Sequence, residues 1–239
     1  MRVIDDACNV RRIRPIMRVT GALRKARKQN KNRRDMSGVH LITGGLGGLG
    51  LRAAALLVER CASRVLLASR SGRVTRDGQG LDAQLKSLGK RAEAVVCDTG
   101  ESSDTNELVK SSTSLAGVLH AAGAGDKGLL VELMDTRLEW LMAPKAKGAW
   151  HLHCTSAALP LDAHVLYSSV GSGLGNVGQA NYAAANAWLD ALALSRRCHG
   201  EVMCCLQWPL VGGAGMGAEA YAAIAEKQVT IAGLAGISL

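Results

Sequence analysis

Residues 39–61, VHLITGGLGGLGLRAAALLVERC, decide the fold. An apolar run ends in glycines, and the glycines open an alanine- and leucine-rich helical stretch. Gly45, Gly47 and Gly50 stand there as G-x-G-x-x-G. A lone match of that kind says little. Directly after a strand and at the head of a helix, it reads as a phosphate-binding turn. Glycines allow the tight bend and let backbone and helix N-terminus approach a pyrophosphate. Thr43, Gly44, Gly48 and Leu49 belong to the same turn. The alternative is a loop that is merely flexible.

Outward from this turn, strand-like and helix-like segments alternate. RVLLASR (64–70) is a second strand and LDAQLKSLG (81–89) a helix with a glycine stop. AEAVVCD (92–98) is a third strand, TNELVKSS (105–112) a short helix, and LAGVLHAAG (115–123) a fourth strand. A long helical stretch is expected from about Leu129 to His153. AHVLYSSV (163–170) is a fifth strand, ANYAAANAWLDALALSRRC (180–198) a helix, and EVMCCLQW (201–208) a sixth strand. Continuous apolar strands between helices imply an α/β fold, a Rossmann-type doubly wound parallel sheet with helices on both faces.

The end of the second strand bears on the cofactor. An NAD-binding fold places an acid about 20 residues beyond the glycines, to hold the ribose hydroxyls. That place holds Ser69 and Arg70, with no acid nearby. A carboxylate would repel a 2′-phosphate, whereas an arginine offers it a charge-assisted hydrogen bond. NADPH is therefore expected; the alternative is a surface arginine. Cys97 and Asp98 end the third strand, where Asp98 could meet the adenine amine. His120, Ala121, Ala122 and Gly123 end the fourth, at the sheet edge where a dinucleotide would lie.

Composition bounds the rest. The chain of 239 residues has near half apolar content, and no uncharged apolar run is long enough to span a membrane. Its seven cysteines form no C-x-x-C pair and read as buried thiols of a reducing, intracellular compartment. HLH at 151–153 lacks a further ligand at suitable spacing, so no metal site is expected. The net charge of +9 comes from residues 1–36, which carry twelve Arg and Lys against three Asp. This basic arm is a linker, an organelle-targeting segment, or an arm for nucleic acid or an acidic partner. It has no aromatic residue to stack on bases. The remaining residues, 37–239, form the globular domain.

In GQANYAAANAWLDALA, residues 178–193, Tyr182, Asn186 and Leu189 share one helical face. The plain reading is a core helix whose tyrosine fills a gap.

Together these motifs resemble the short-chain dehydrogenase/reductase superfamily, and more narrowly the ketoreductase domain of polyketide synthases and animal-type fatty acid synthases. HLITGGLGGLG, LLASRSG, GVLHAAG, APKAKGAWHLH, YSSVGSGLGNVGQANYAAANAWLDALA and QWPLVGGAGMG carry the resemblance in order, from residue 39 to about 217. Most of the superfamily has lysine four residues after the catalytic tyrosine; this chain has Asn186. In the ketoreductase branch lysine and asparagine exchange places, and APKAKG supplies Lys145 at the matching position, with Lys147 the second candidate. The implied catalytic set is Lys145, Ser169, Tyr182 and Asn186. The implied reaction is reduction of a β-ketoacyl thioester carried by an acyl carrier protein. Tyr182 would give a proton to the alkoxide, Ser169 would bond the same oxygen, and Lys145 would favour the phenolate. Asn186 would orient the link that resupplies the proton.

Two stereochemical signatures of that family are incomplete here. Gly125, Asp126 and Lys127 stand where one class has Leu-Asp-Asp. Leu174 stands where the other has tryptophan. The single match, Asp126, points toward the first class without assigning handedness. Pro209 follows Trp208 in place of the usual glycine, at the cofactor. Residues 212–228 should form a mobile lid over the substrate, with Met216 in it. Family members normally continue past AGISL into another helix and strand, so the expected sheet lacks its last strand. The chain reads either as free-standing or as a piece of a larger synthase. Three rivals stay open: a discrete 3-oxoacyl-carrier-protein reductase, a non-catalytic structural or partner-binding relic, and a nucleic-acid binder using the basic arm.

Overall fold

The computed structural model describes residues 36–74, 79–112, 114–126, 128–175, 177–218, 221–222 and 237–238. The basic arm before Met36, Lys127 and most of the second half of the lid lie outside the described residues.

The first strand, β1 (Val39–Thr43), runs into the glycine turn and helix α1 (Gly48–Glu59). After it come β2 (Arg64–Ser69), α2 (Leu81–Ser87), β3 (Ala92–Val96), α3 (Ser102–Ser111) and β4 (Leu115–His120). All these elements fall where the sequence pattern puts them, with α3 beginning three residues earlier. The six principal strands form one parallel sheet in the order β3-β2-β1-β4-β5-β6, with β5 at Ala163–Ser169 and β6 at Cys204–Trp208. The order reverses between β1 and β4, and that switch point opens the crevice in which α/β sheets bind ligands, beyond the carboxyl ends of the strands.

Strand alternation sorts the core into two layers. Ile42 and Leu67 point to one face, with Leu51 and Leu57 of α1 and Leu81 of α2. Their chain neighbours Leu41 and Leu66 point to the other, with Leu108 of α3 and with Leu152. Both faces are covered, so consecutive residues are apolar in the middle of β1 (Leu41, Ile42) and of β2 (Val65–Ala68). A third cluster joins Leu166 of β5 to Leu189 and Leu192 of α7 (Ala180–Cys198). The short helix α6 (Gly171–Leu174) precedes α7.

One expected element is broken. The stretch 129–153 is a 3-10 turn (Leu130–Glu132), helix α4 (Asp135–Met142), a π-helical turn (Ala143–Lys147) and helix α5 (Gly148–Ser156). Leu133 and Met134 are extended and separate the first two pieces. Pro144 then sits at the start of the π turn, where its missing N–H cannot continue the α-helical ladder.

Among the described residues β6 is an outer strand, opposite β3, with Cys204 and Leu206 exposed. A second, two-stranded sheet pairs β7 (Val211–Gly212) with β8 (Ile237–Ser238), a pairing the sequence pattern does not announce. No helix among the described residues is long and apolar enough to cross a membrane.

Candidate active site

The glycine turn is shaped by what surrounds it. Gly44 has φ +64°, and a Cβ there would lie 2.6 Å from the Ala121 carbonyl oxygen. A Cβ on Gly50 would meet the Gly44 oxygen at 2.5 Å, so only glycine lets α1 approach β1 this closely. Helix α1 is preceded by Gly47 as its N-cap, with no side-chain cap and no acid in the first turn. Its first N–H groups are thus unclaimed by side chains and present the positive end of the helix to an anion. This cradle fits a pyrophosphate. Gly45, Gly47, Gly48 and Leu49 lie along it, whereas the Thr43 side chain is fully buried beneath it.

Ser69 ends β2 and its hydroxyl accepts from the Gly72 N–H at 3.1 Å, while Arg70 next to it is exposed. Among the described residues no carboxylate is hydrogen-bonded to either. At the end of β3, Cys97 is buried, and burial together with Asp104 and Asp98 pushes its thiol up to about 11. The Asp98 carboxylate accepts from the Gly100 N–H at 2.9 Å.

Lysine, asparagine and tyrosine meet across the π turn and α7. Lys145 is only 5% exposed. Its Nζ donates to Asn186 Oδ1 at 2.8 Å and to the Tyr167 carbonyl at 3.1 Å, and lies 5.4 Å from the centroid of the Tyr182 ring. Asn186 is fully buried, and its Nδ2 donates back to the Tyr182 carbonyl at 2.8 Å. Burial pulls the Lys145 ammonium down to about 8, against the opposing field of Asp190. Gly123 flanks the lysine; a Cβ there would come 3.0 Å from Lys145 Cε. Lys147 lies on the outside, paired with Glu139 at 2.6 Å, both largely exposed. Ser169 ends β5, the strand on which α7 packs, and its hydroxyl accepts from the Gly171 N–H at 3.1 Å. Ser168 beside it bonds the Asn186 carbonyl.

His120, expected along the cofactor groove, turns inward. It is fully buried, bonded to Thr43 and to the Lys145 carbonyl. Ala121 and Ala122 contribute backbone at the Gly44 contact. Pro209 follows the end of β6.

Around Asp126, in the loop after β4, stand two residues the sequence reading missed, Arg137 and Asn181. Asp126 is gripped by Arg137 of α4, with Nε at 2.7 Å, and accepts from Asn181 Nδ2 at 2.7 Å. Asn181 Oδ1 in turn accepts from the Tyr182 N–H at 2.8 Å. A chain of four residues therefore fixes the first turn of α7, where Tyr182 sits. Asn181 adjoins the tyrosine in sequence, and its short amide at a helix start was the available signal. Arg137 left none. Met216 is half-exposed, with its sulfur close to Gly125 (3.9 Å from where a Cβ would stand). The described part of the expected lid thus approaches the loop after β4 at Gly125. Gly215 also donates its N–H to Gln79 Oε1 at 2.9 Å.

Residues 38–213 match the family model described as KR domain. The Spectinabilin polyketide synthase system protein NorB of Streptomyces orinoci is 42% identical over 85% of this chain, which covers 10% of that protein. A 6-methylsalicylic acid synthase of Aspergillus niger is 34% identical over 100% of this chain, which covers 14% of it. The chain thus spans only about a tenth to a seventh of these two relatives. Among solved structures, A-type ketoreductases from a modular polyketide synthase align with TM-score 0.72 and 38% identity, over 78% of this chain and 40% of that one. The ketoreductase of the first module of phoslactomycin biosynthesis in Streptomyces sp. HK803 aligns with TM-score 0.73 and 35% identity, over 84% of this chain and 47% of that one. With the parallel sheet, the glycine turn and the exchanged lysine and asparagine, these likenesses place the chain in the KR domain family, the ketoreductase domains of polyketide synthases within the short-chain dehydrogenase/reductase superfamily.

Proposed function

We infer that this chain reduces a β-ketoacyl thioester, presented on an acyl carrier protein, to the β-hydroxyacyl thioester with NADPH. The observation that carries the reading is the buried Lys145 amine, held by Asn186 against the Tyr182 ring. The cradle of Gly44, Gly45, Gly47 and Gly50 would hold the pyrophosphate, and Ser69 and Arg70 would meet the 2′-phosphate. Bound NADPH supplies the hydride. Tyr182 gives the proton to the substrate oxygen, and Ser169 donates a hydrogen bond to it. Lys145 supports negative charge on the phenol, and Asn186 fixes the lysine from the next turn of the same helix as Tyr182. Met216 and Asp126 flank the substrate entrance. NADPH oxidation with a β-ketoacyl thioester mimic tests the reading directly; no turnover of any such mimic would favour a non-catalytic relic. Partner domains in cis or in trans are part of the same proposal, because the relatives are large synthases.

Two further outcomes follow from the geometry. Arg70→Asp should weaken NADPH binding about 10- to 100-fold while leaving NADH binding within a few-fold, because one charge-assisted contact is exchanged for repulsion. Cofactor titrations check it, and equal affinity of the unaltered protein for both dinucleotides would remove its basis. Lys145→Met should cut turnover by about 100-fold or more, whereas Lys147→Met should leave it within about twofold, since an exposed ion pair contributes little. Equal losses in the two variants would show that the wrong lysine has been chosen.

A further inference from the structure

His120 is the last residue of β4 and is fully buried. Both ring nitrogens are engaged: Nδ1 lies 2.7 Å from Thr43 Oγ1 and Nε2 lies 2.9 Å from the Lys145 carbonyl oxygen. A carbonyl only accepts, so Nε2 carries the hydrogen, and Nδ1 accepts from the Thr43 hydroxyl. Burial holds the ring at about 3, far below the usual histidine range, so it stays in this neutral form at working pH.

The carbonyl that His120 grips belongs to the π turn. Thr99 grips its neighbour, donating to the Pro144 oxygen at 3.3 Å. Gly148 closes the turn by donating its N–H to the Ala143 oxygen, and it also donates to the Lys145 oxygen. There is no room to slide: a Cβ on Gly148 would stand 2.8 Å from Thr99 Oγ1 and 3.1 Å from His120 Cε1. The wider π turn needs such anchors, because its own ladder is interrupted by Pro144. The Lys145 amine leaves from this same residue to reach Asn186.

We propose that His120 is a positioning residue, which holds the Lys145 backbone so that the amine meets Asn186 and the Tyr182 ring. This rests on the roles given above to Lys145 and Tyr182. It assigns to His120 a task on the lysine and not on the cofactor, since the enclosed ring presents no atom to the crevice.

His120→Leu keeps the bulk and removes the donor. Its kcat on the thioester mimic should fall about 10- to 100-fold, as expected for a displaced catalytic group, with the NADPH dissociation constant within about threefold. His120→Gln carries an amide donor at the reach of Nε2 and should recover most of the loss. Thr43→Val frees Nδ1 from its partner and should lower kcat in the same direction by less; it serves if His120→Leu does not fold. The second readout needs no turnover: the ionisation of Lys145, followed by NMR of its Cε and Nζ. Asp190 of α7 and Cys205 of β6 are the titratable groups facing that amine, besides Tyr182. In His120→Leu the loosened amine should titrate higher, nearer an ordinary lysine. An unchanged Lys145 titration in both His120→Leu and Thr43→Val overturns the proposal whether or not the protein reduces ketones. A loss of NADPH affinity with kcat preserved overturns it too. A shifted titration in a protein inert toward every thioester mimic would uphold the positioning role and overturn the reaction instead.

Discussion

Tyr182→Phe is expected to reduce turnover of a β-ketoacyl thioester mimic by about 10²- to 10⁴-fold, the range of a lost general acid. NADPH binding and folding should hardly change. The structure explains why the effects separate. The two side-chain hydrogen bonds that reach Tyr182 both engage its backbone, the N–H donating to Asn181 Oδ1 and the carbonyl accepting from Asn186 Nδ2. The Lys145 amine lies over the ring, which phenylalanine keeps. Only the phenolic proton is removed, so a fall in kcat with an unchanged cofactor dissociation constant locates the residue in the transition state. Steady-state NADPH oxidation and a fluorescence titration measure the two quantities. Equal rates for the unaltered protein and the variant would return Tyr182 to a packing role.

The helix that carries Tyr182 was legible residue for residue: α7 spans Ala180–Cys198, as its apolar spacing indicates. The glycine turn was equally plain, because Gly44 and Gly50 answer to backbone contacts that no other residue survives. The exchanged lysine was legible only through resemblance. Spacing along the chain separates Lys145 from Asn186 by 41 residues, and nothing local joins them. The π turn was illegible for a different reason. Apolar periodicity over 129–153 registers an average helix, and it cannot tell a wider turn from a regular one. The inward turn of the His120 ring was not legible, because a strand-end residue beside a crevice has two directions to take. Its inward direction depends on Thr43 and on the Lys145 carbonyl, both remote in sequence. The Arg137–Asp126–Asn181 chain is remote in the same way: an ion pair and an amide become a device for holding Tyr182 only once α4 and α7 are side by side.

Acidification is expected to unfold this protein near pH 4, through two histidines buried in the sheet. His120 on β4 is fully buried and His164 on β5 is 4% exposed. Burial lowers His120 to about 3, against the hydrogen bond to the Lys145 carbonyl that favours the charged ring, and lowers His164 to about 4, with the charge of His153 acting in the same direction; the ordinary value is 6.5. The sign follows from which state binds protons first. Between pH 6.5 and about 4 the unfolded chain takes up a proton at each histidine and the folded chain does not, so stability falls as pH falls. Above 6.5 neither state is protonated and the contribution is complete. A tenfold difference in proton affinity between the two states corresponds to about 1.4 kcal/mol, so at pH 4 the two histidines together remove about 6 kcal/mol. That is comparable to the whole stability of an ordinary domain, about 5–15 kcal/mol. His164 Nε2 has no hydrogen-bond partner among the described residues, so a proton added there would meet no acceptor. Urea unfolding at a series of pH values gives the measurement. The free energy should drop steeply across this window, and the slope should be smaller by about one proton in His164→Leu, whatever that variant does to stability at pH 7. A slope below half a proton would mean that both rings accept protons in the folded state. The neutral His120 tautomer that grips the Lys145 carbonyl would then be lost well before the fold.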